Sequence, residues 1–162
     1  MPCGVSRGAA ADYDRRQRTM RPGVAGMDQE LFEAASAVRM RAHAPYSRFL
    51  VGVALRTADG ALHTGCNVEN AAFPEGWCAE TTAIGRMVAS AGPGPGRSIA
   101  MVCVVAARID GRFTTPCGGC RQRLAEFGTP ETVIHCFDPG GRGATWRLGE
   151  LLPAGFDLRG EP

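Results

Sequence analysis

The stretch Ile99-Ala100-Met101-Val102-Cys103-Val104-Val105-Ala106-Ala107 carries no charge, and every residue in it but Met101 is β-branched or small. Such a run is too short to span a membrane and shows no apolar/polar alternation, so it reads as a strand covered on both faces. A strand of that kind needs helices above and below it. On its C-terminal side, Pro116 introduces a short helix over 117–127 that Gly128 closes, and 132–137 forms the next strand. On its N-terminal side, 78–90 places Ala79, Ala83, Ile84, Met87 and Val88 on one helical stripe, stopped by the loop around Pro93. Further out, 49–56 and 61–68 flank the turn-forming pair Asp59-Gly60 and read as a hairpin. Before them Met27, Leu31, Phe32, Ala35 and Val38 recur at helical spacing, in a helix that ends ahead of Pro45. Residues 145–148 add a fifth strand. The alternation of hairpin, helix, strand, helix and strand implies an α/β sandwich. Residues 1–26 are rich in Arg, Gly and Ala without periodicity and read as a flexible N-terminal extension to one domain over 27–162.

The bulk numbers set limits on function. A chain of 162 residues suits one domain with a sizeable core, and 44% hydrophobic with 21% charged residues is ordinary for a globular protein. The first residues lack the apolar stretch of a secretory signal, and no run is long enough for a membrane span, so a cytoplasmic protein without membrane contact is expected. Every basic residue is Arg, yet the net charge is only +2 and the arginines are scattered. A polyanion-binding surface needs clustered charge, interleaved with aromatics where single strands stack, so nucleic acid is not an expected partner. Seven cysteines in a chain without an export signal favour metal or catalytic use over disulfides.

Three of those cysteines stand in a pattern. Cys78 lies two residues before Glu80 in Cys78-Ala79-Glu80, and Cys117 and Cys120 belong to Pro116-Cys117-Gly118-Gly119-Cys120; each group opens an expected helix. Unpaired amides and the positive dipole end at a helix start favour the thiolate that binds metal. Structural zinc sites usually have four protein ligands, whereas catalytic ones have three and leave a position for water. Three are found here. Zinc deaminases place a ligand two residues before a catalytic Glu and follow it with Pro-Cys-x-x-Cys, and this chain fits that pattern with Cys as the first ligand. Read alone, the Cys117/Cys120 pair could equally be a redox pair, and Glu80 a solvated helix residue. Cys3, Cys66, Cys103 and Cys136 read as small hydrophobes or bystanders.

With these motifs, the chain resembles the small homotetrameric zinc-dependent cytidine deaminases from about Met27 to Phe156. The stretches that carry the resemblance are Tyr46-Ser47-Arg48-Phe49 with Val51-Gly52, Asn67-Val68-Glu69-Asn70, Cys78-Ala79-Glu80, Pro116-Cys117-Gly118-Gly119-Cys120-Arg121-Gln122 and Leu151-Leu152-Pro153. The resemblance implies a three-layer α/β/α sandwich with a mixed, roughly five-stranded sheet. It implies hydrolytic deamination of cytidine and deoxycytidine to uridine and deoxyuridine with release of ammonia, a reaction of pyrimidine salvage. Cys78, Cys117 and Cys120 would hold one Zn²⁺ per subunit, and Glu80 would move the proton. The same resemblance puts Asn67 and Glu69 on the ribose, Phe49 on the nucleoside pocket wall, Ala79 among the substrate contacts, Phe73 at the subunit junction, and Phe156 in a neighbouring subunit's site within a homotetramer. From the residues alone, Asn67 to Asn70 could be turn chemistry, and Phe49 and Phe73 could be core residues.

One departure stands out. The family typically has Arg after Cys-Ala-Glu, resembling a charge compensator for the thiolates, where this chain has Thr81. Arg121 is a candidate replacement. Blasticidin-type deaminases, which act on a modified cytosine nucleoside, share the three-Cys site without that Arg and are the nearest rival reading. A non-catalytic zinc module with a fourth ligand from His43, His63 or His135 is a second alternative, and a polynucleotide deaminase, disfavoured by the charge distribution, is a third.

Overall fold

The structure, a computed structural model, describes residues 28–158. The extension proposed for residues 1–26 lies outside them. Helix α1 spans Gln29–Arg39, and Asp28 caps it by accepting from the Leu31 amide. The hairpin follows as β1 (Val51–Thr57) and β2 (Leu62–Cys66), turning through Gly60 at φ 90°, a conformation that glycine adopts without strain. Helix α2 (Ala79–Ser90) leads to β3 (Ile99–Ala106), and α3 (Gly118–Phe127) connects β3 to β4 (Val133–Phe137). Strand β5 (Gly143–Arg147) and the single-turn helix α4 (Leu148–Leu151) end the fold.

The sheet runs β2-β1-β3-β4-β5, with β3 and β4 parallel and every other pair antiparallel. This is the mixed five-stranded sheet the sequence led us to expect. As anticipated for residues 99–107, the central strand is buried almost throughout. Because a strand alternates its side chains, β1 and β3 each feed two cores. Val53, Leu55, Val102 and Val104 join Ala83, Met87 and Leu124 on the face covered by α2 and α3. Ala54, Cys103 and Val105 join Leu31, Ala35 and Phe137 under α1. Cys103 and Cys136 are buried among apolar neighbours, and burial pushes the Cys103 thiol up to about 12, so neither offers a thiolate.

Two differences from the sequence expectation lie at the C-terminal edge. Strand β5 begins at Gly143 rather than 145, and Leu148 leaves it to start α4. Its pairing with β4, from Phe137↔Gly143 to Val133↔Arg147, fixes that extent. A one-turn helix is too short to leave a periodic signature. Among the described residues no helix is long and apolar enough to cross a membrane.

Two glycines set the layer spacing. A Cβ at Gly65 in β2 would lie 2.3 Å from the Ala83 amide nitrogen and 2.5 Å from the Ala79 carbonyl oxygen, and one at Gly52 in β1 would lie 2.1 Å from the Ala35 carbonyl oxygen. The backbone of α2 therefore rests directly on β2, and with it the position of Cys78. Gly65→Ala should cost about 3 kcal/mol through overpacking. Gly85, exposed in the middle of α2 with nothing near its Cβ position, should instead gain roughly 0.5–1 kcal/mol on replacement by Ala. Denaturant midpoints of the two variants, moving in opposite directions, check the assignment.

Candidate metal centre and pocket

Both sulfur-bearing helices begin in the same way. Cys78 caps α2 and Cys117 caps α3, each in extended backbone and neither making a side-chain cap hydrogen bond. Ser, Thr, Asp or Asn at these positions would turn its oxygen inward to the first-turn amides. Cysteine makes no such bond, which leaves its sulfur free for the cluster. The α2 start is fixed from the sheet side. Thr82 Oγ1 donates to the Cys66 carbonyl at 2.8 Å and accepts the Trp77 indole N–H at 2.9 Å, while Val68 and Trp77 exchange backbone hydrogen bonds. The α3 start is fixed by Arg121. Its guanidinium donates to the carbonyls of Pro116 (2.7 Å) and Leu151 (2.9 Å) and to Thr115 Oγ1 (3.0 Å).

The result is a convergence of sulfur. The Sγ atoms of Cys78, Cys117 and Cys120 all lie within 4.8 Å of one another, with Cys78 and Cys117 at 3.8 Å. Tetrahedral sulfurs around zinc, each at ~2.3 Å from the ion, lie about 3.8 Å apart, so this spacing fits the metal. The three thiols remain free rather than disulfide-bonded. The Cys78 thiol is drawn down to about 6, chiefly by its hydrogen bond with Cys120, while Cys120 is pushed up by the same interaction and by burial. The Cys78 thiolate forms readily, while that of Cys120 needs a cation beside it. Among the described residues no histidine joins the cluster. His43 is exposed, His63 faces Ser90 near the far end of α2, and the His135 ring lies tilted against Phe137 on the α1 side.

Glu80 sits one residue inside α2, only 3% exposed, and its Oε2 accepts from the Cys120 thiol at 3.2 Å. Burial raises its pKa above the ordinary carboxylate value, against the hydrogen bonds of its own amide and Cys120 and the charge of Arg123. A carboxyl in that state beside a metal site can both accept and return a proton.

A pocket of about 510 Å³ opens onto the cluster. Of the residues singled out in the sequence, Phe49, Asn67, Glu69, Phe73, Ala79, Glu80, Cys78 and Cys117 line it together. Cys120 lies behind them, buried. Asn67 accepts from the Val51 amide at 2.8 Å and donates to the Phe49 carbonyl at 2.9 Å, so it pins the entry to β1. The Glu69 carboxylate accepts from the Ser47 hydroxyl and from the Tyr46 and Ser47 amides, which hold its pKa below the usual value. Phe156 stands apart. It is 70% exposed on a second groove and held by Gln122, whose side-chain amide bonds both its carbonyl and its N–H. Tyr46, Ser47, Trp77, Thr114 and Thr115 also line the pocket without having been assigned roles from the sequence. Trp77 and Thr115 each lie within two residues of a ligand cysteine, a proximity that marks them as candidates.

The guanidinium of Arg121, the candidate compensator, is hydrogen-bonded to Pro116, Leu151 and Thr115 rather than to a sulfur. All three guanidinium nitrogens are engaged in stitching the loop before α3 to α4. The Thr81 hydroxyl, at the departing position, is buried without a hydrogen-bond partner among the described residues.

These features agree with the comparisons to known proteins. Residues 26–136 match the family model described as the cytidine and deoxycytidylate deaminase zinc-binding region. The chain is 42% identical to a cytidine deaminase of Mycobacterium tuberculosis over 118 residues, covering 72% of this chain and 80% of that one. It is 38% identical to a probable cytidine deaminase of Dictyostelium discoideum over 128 residues, 79% of this chain and 82% of the other. The crystal structure of cytidine deaminase from Burkholderia pseudomallei superposes with a TM-score of 0.71 at 40% identity, covering 80% of this chain and all 100% of that one. With the three-cysteine cluster at its sheet face and a family match that spans most of its length, this chain belongs to the cytidine and deoxycytidylate deaminase family of zinc-binding proteins.

Proposed function

We propose that this chain is a zinc-dependent hydrolase that converts cytidine and deoxycytidine to the uracil nucleosides with release of ammonia, acting in pyrimidine salvage in the cytoplasm. The observation that carries the reading is the buried carboxyl of Glu80 against a cluster of three sulfurs at the end of a nucleoside-sized pocket. Cys78, Cys117 and Cys120 would hold the ion, which when bound would supply Lewis acidity for activating water near neutral pH. Glu80 does the proton work. Its carboxylate takes a proton from the attacking water and delivers it to N3 of the pyrimidine, and a second transfer accompanies loss of the C4 amino group as ammonia, while the oxygen stays on C4. A raised pKa suits a group that alternates between the two forms in one turnover. The positive dipole ends of α2 and α3 meet charge that develops on the base.

Phe49 and Ala79 take the base, and Asn67 and Glu69 take the sugar. Each of the latter two also shapes the pocket through the 46–51 backbone. Exposure supports a homotetramer with shared sites. Phe73 and Phe156 are 73% and 70% exposed, and Tyr46, Trp77 and Leu158 are exposed as well. Large apolar side chains gathered at the pocket mouth and on the C-terminal tail suit surfaces that pack against other copies. The catalytic domain is 27–162, preceded by residues 1–26 as an N-terminal extension.

Three outcomes test this reading. Glu80→Gln should keep a full complement of zinc by elemental analysis and lose roughly 10³-fold in kcat on cytidine, followed by absorbance; undiminished turnover would remove Glu80 from the mechanism. Glu69→Ala should raise KM for cytidine at least tenfold with a smaller fall in kcat, since it removes a sugar contact and frees the Tyr46 and Ser47 amides. Static light scattering of the purified chain should give four times the protomer mass, and a monomeric mass together with full activity would refute the shared-site assembly. Zinc-loaded protein that ignores cytidine but deaminates a modified cytosine nucleoside would instead establish the blasticidin-type alternative.

A further inference from the structure

A divalent ion held by three thiolates leaves one net negative charge, and Glu80 adds another whenever it is ionised. Charge of one sign gathered at one point, with two of its carriers, Cys120 and Glu80, buried, is stabilised by an opposite charge nearby. The helices that carry the sulfurs hold three arginines. Arg86 donates to the Thr64 hydroxyl and carbonyl on β2, and Arg121 is bound to the loop before α3 and to α4. Arg123 makes no hydrogen bond or ion pair among the described residues.

The placement of Arg123 is unusual for a cation. Its side chain runs back over the first turn of α3, so that a Cβ at Gly119 would lie 3.0 Å from its Nη1 and 4.0 Å from its Cζ. Gly119 sits between Cys117 and Cys120, and it has no side chain to keep the guanidinium away. Helical side chains do lean toward the N-terminus. Positive charge near a helix N-terminus is nonetheless unfavourable, because the aligned peptide dipoles already present their positive end there. An unpaired guanidinium over that turn is in a poor position unless anions gather at the same point. The thiolates of Cys78, Cys117 and Cys120 are such anions.

We propose that Arg123 is a positioning residue whose charge offsets the excess negative charge of the three-sulfur site and so strengthens its hold on zinc. The assignment rests on the zinc reading above. It accounts for a site that works with the neutral Thr81 beside it and with Arg121 engaged elsewhere. It also gives Gly119 a purpose, since a side chain there would have to push the guanidinium aside.

Zinc affinity of the full-length protein, measured by competition with a colorimetric chelator at low ionic strength, tests the inference. Arg123→Gln should bind zinc roughly tenfold more weakly than the parent, the loss common when a group just outside the ligands is removed. Arg123→Lys should restore most of the affinity, because it keeps the charge. The gap between parent and Arg123→Gln should narrow as salt is raised, since an exposed charge is screened. Equal affinity of parent and Arg123→Gln, or equally weak binding by the Lys and Gln variants, overturns the assignment while leaving the zinc site intact. A parent protein that binds no zinc overturns the metal site, and this inference with it.

Discussion

The structure depends on two helices beginning at one point. Helices α2 and α3 come from opposite sides of the central strand in sequence, yet their first turns place the Cys78 and Cys117 sulfurs 3.8 Å apart. Two positive helix ends would repel if nothing lay between them. Sulfur anions and a cation resolve that conflict. The sheet makes the convergence possible. Gly65 lets α2 settle onto β2, and Arg121 fastens the α3 start to α4, so neither helix can drift without disturbing backbone contacts.

The same convergence explains the state of Glu80. A carboxyl this deeply buried needs a partner or a proton, and its neighbour is a ligand thiol rather than an arginine. The protein does not neutralise Glu80 with a tight ion pair, which would hold it ionised and make it a poor proton carrier. It keeps cations at a distance. Arg123 acts on the site through its field alone, and Arg121 is turned toward carbonyls. A carboxyl held that way can change protonation state within one cycle.

Much of this was legible in the sequence, for identifiable reasons. The apolar run at 99–107 revealed the central strand because burial on both faces removes the alternation that marks an exposed one. The metal cluster was legible because helix starts impose short spacings, Cys-x-x-Cys and Cys-x-Glu, that survive without knowledge of the fold. The short helix α4 and the true start of β5 were not legible. One turn has no period, and the extent of β5 is set by its register with β4. Nor could sequence separate Arg121 from Arg123. Two residues apart on one helix, they point different ways, and only the positions of Leu151 and Gly119 show which is bound to carbonyls and which lies along the first turn of α3.

The pocket wall shows why sequence patterns for binding and for structure overlap. Asn67 and Glu69, two residues apart and on the same side of an extended segment, satisfy backbone groups of residues 46–51 with the polar atoms that face the pocket. Reading them as turn chemistry or as ligand contacts was therefore a false choice. A carboxylate that already accepts two amides and a hydroxyl is fixed in direction, with its charge maintained by donors that do not move when a ligand arrives. Such a group pays little conformational entropy on binding. Removing it would loosen the wall as well as delete the proposed sugar contact, so in that reading the rigidity of the pocket and its affinity for a sugar would come from the same few hydrogen bonds.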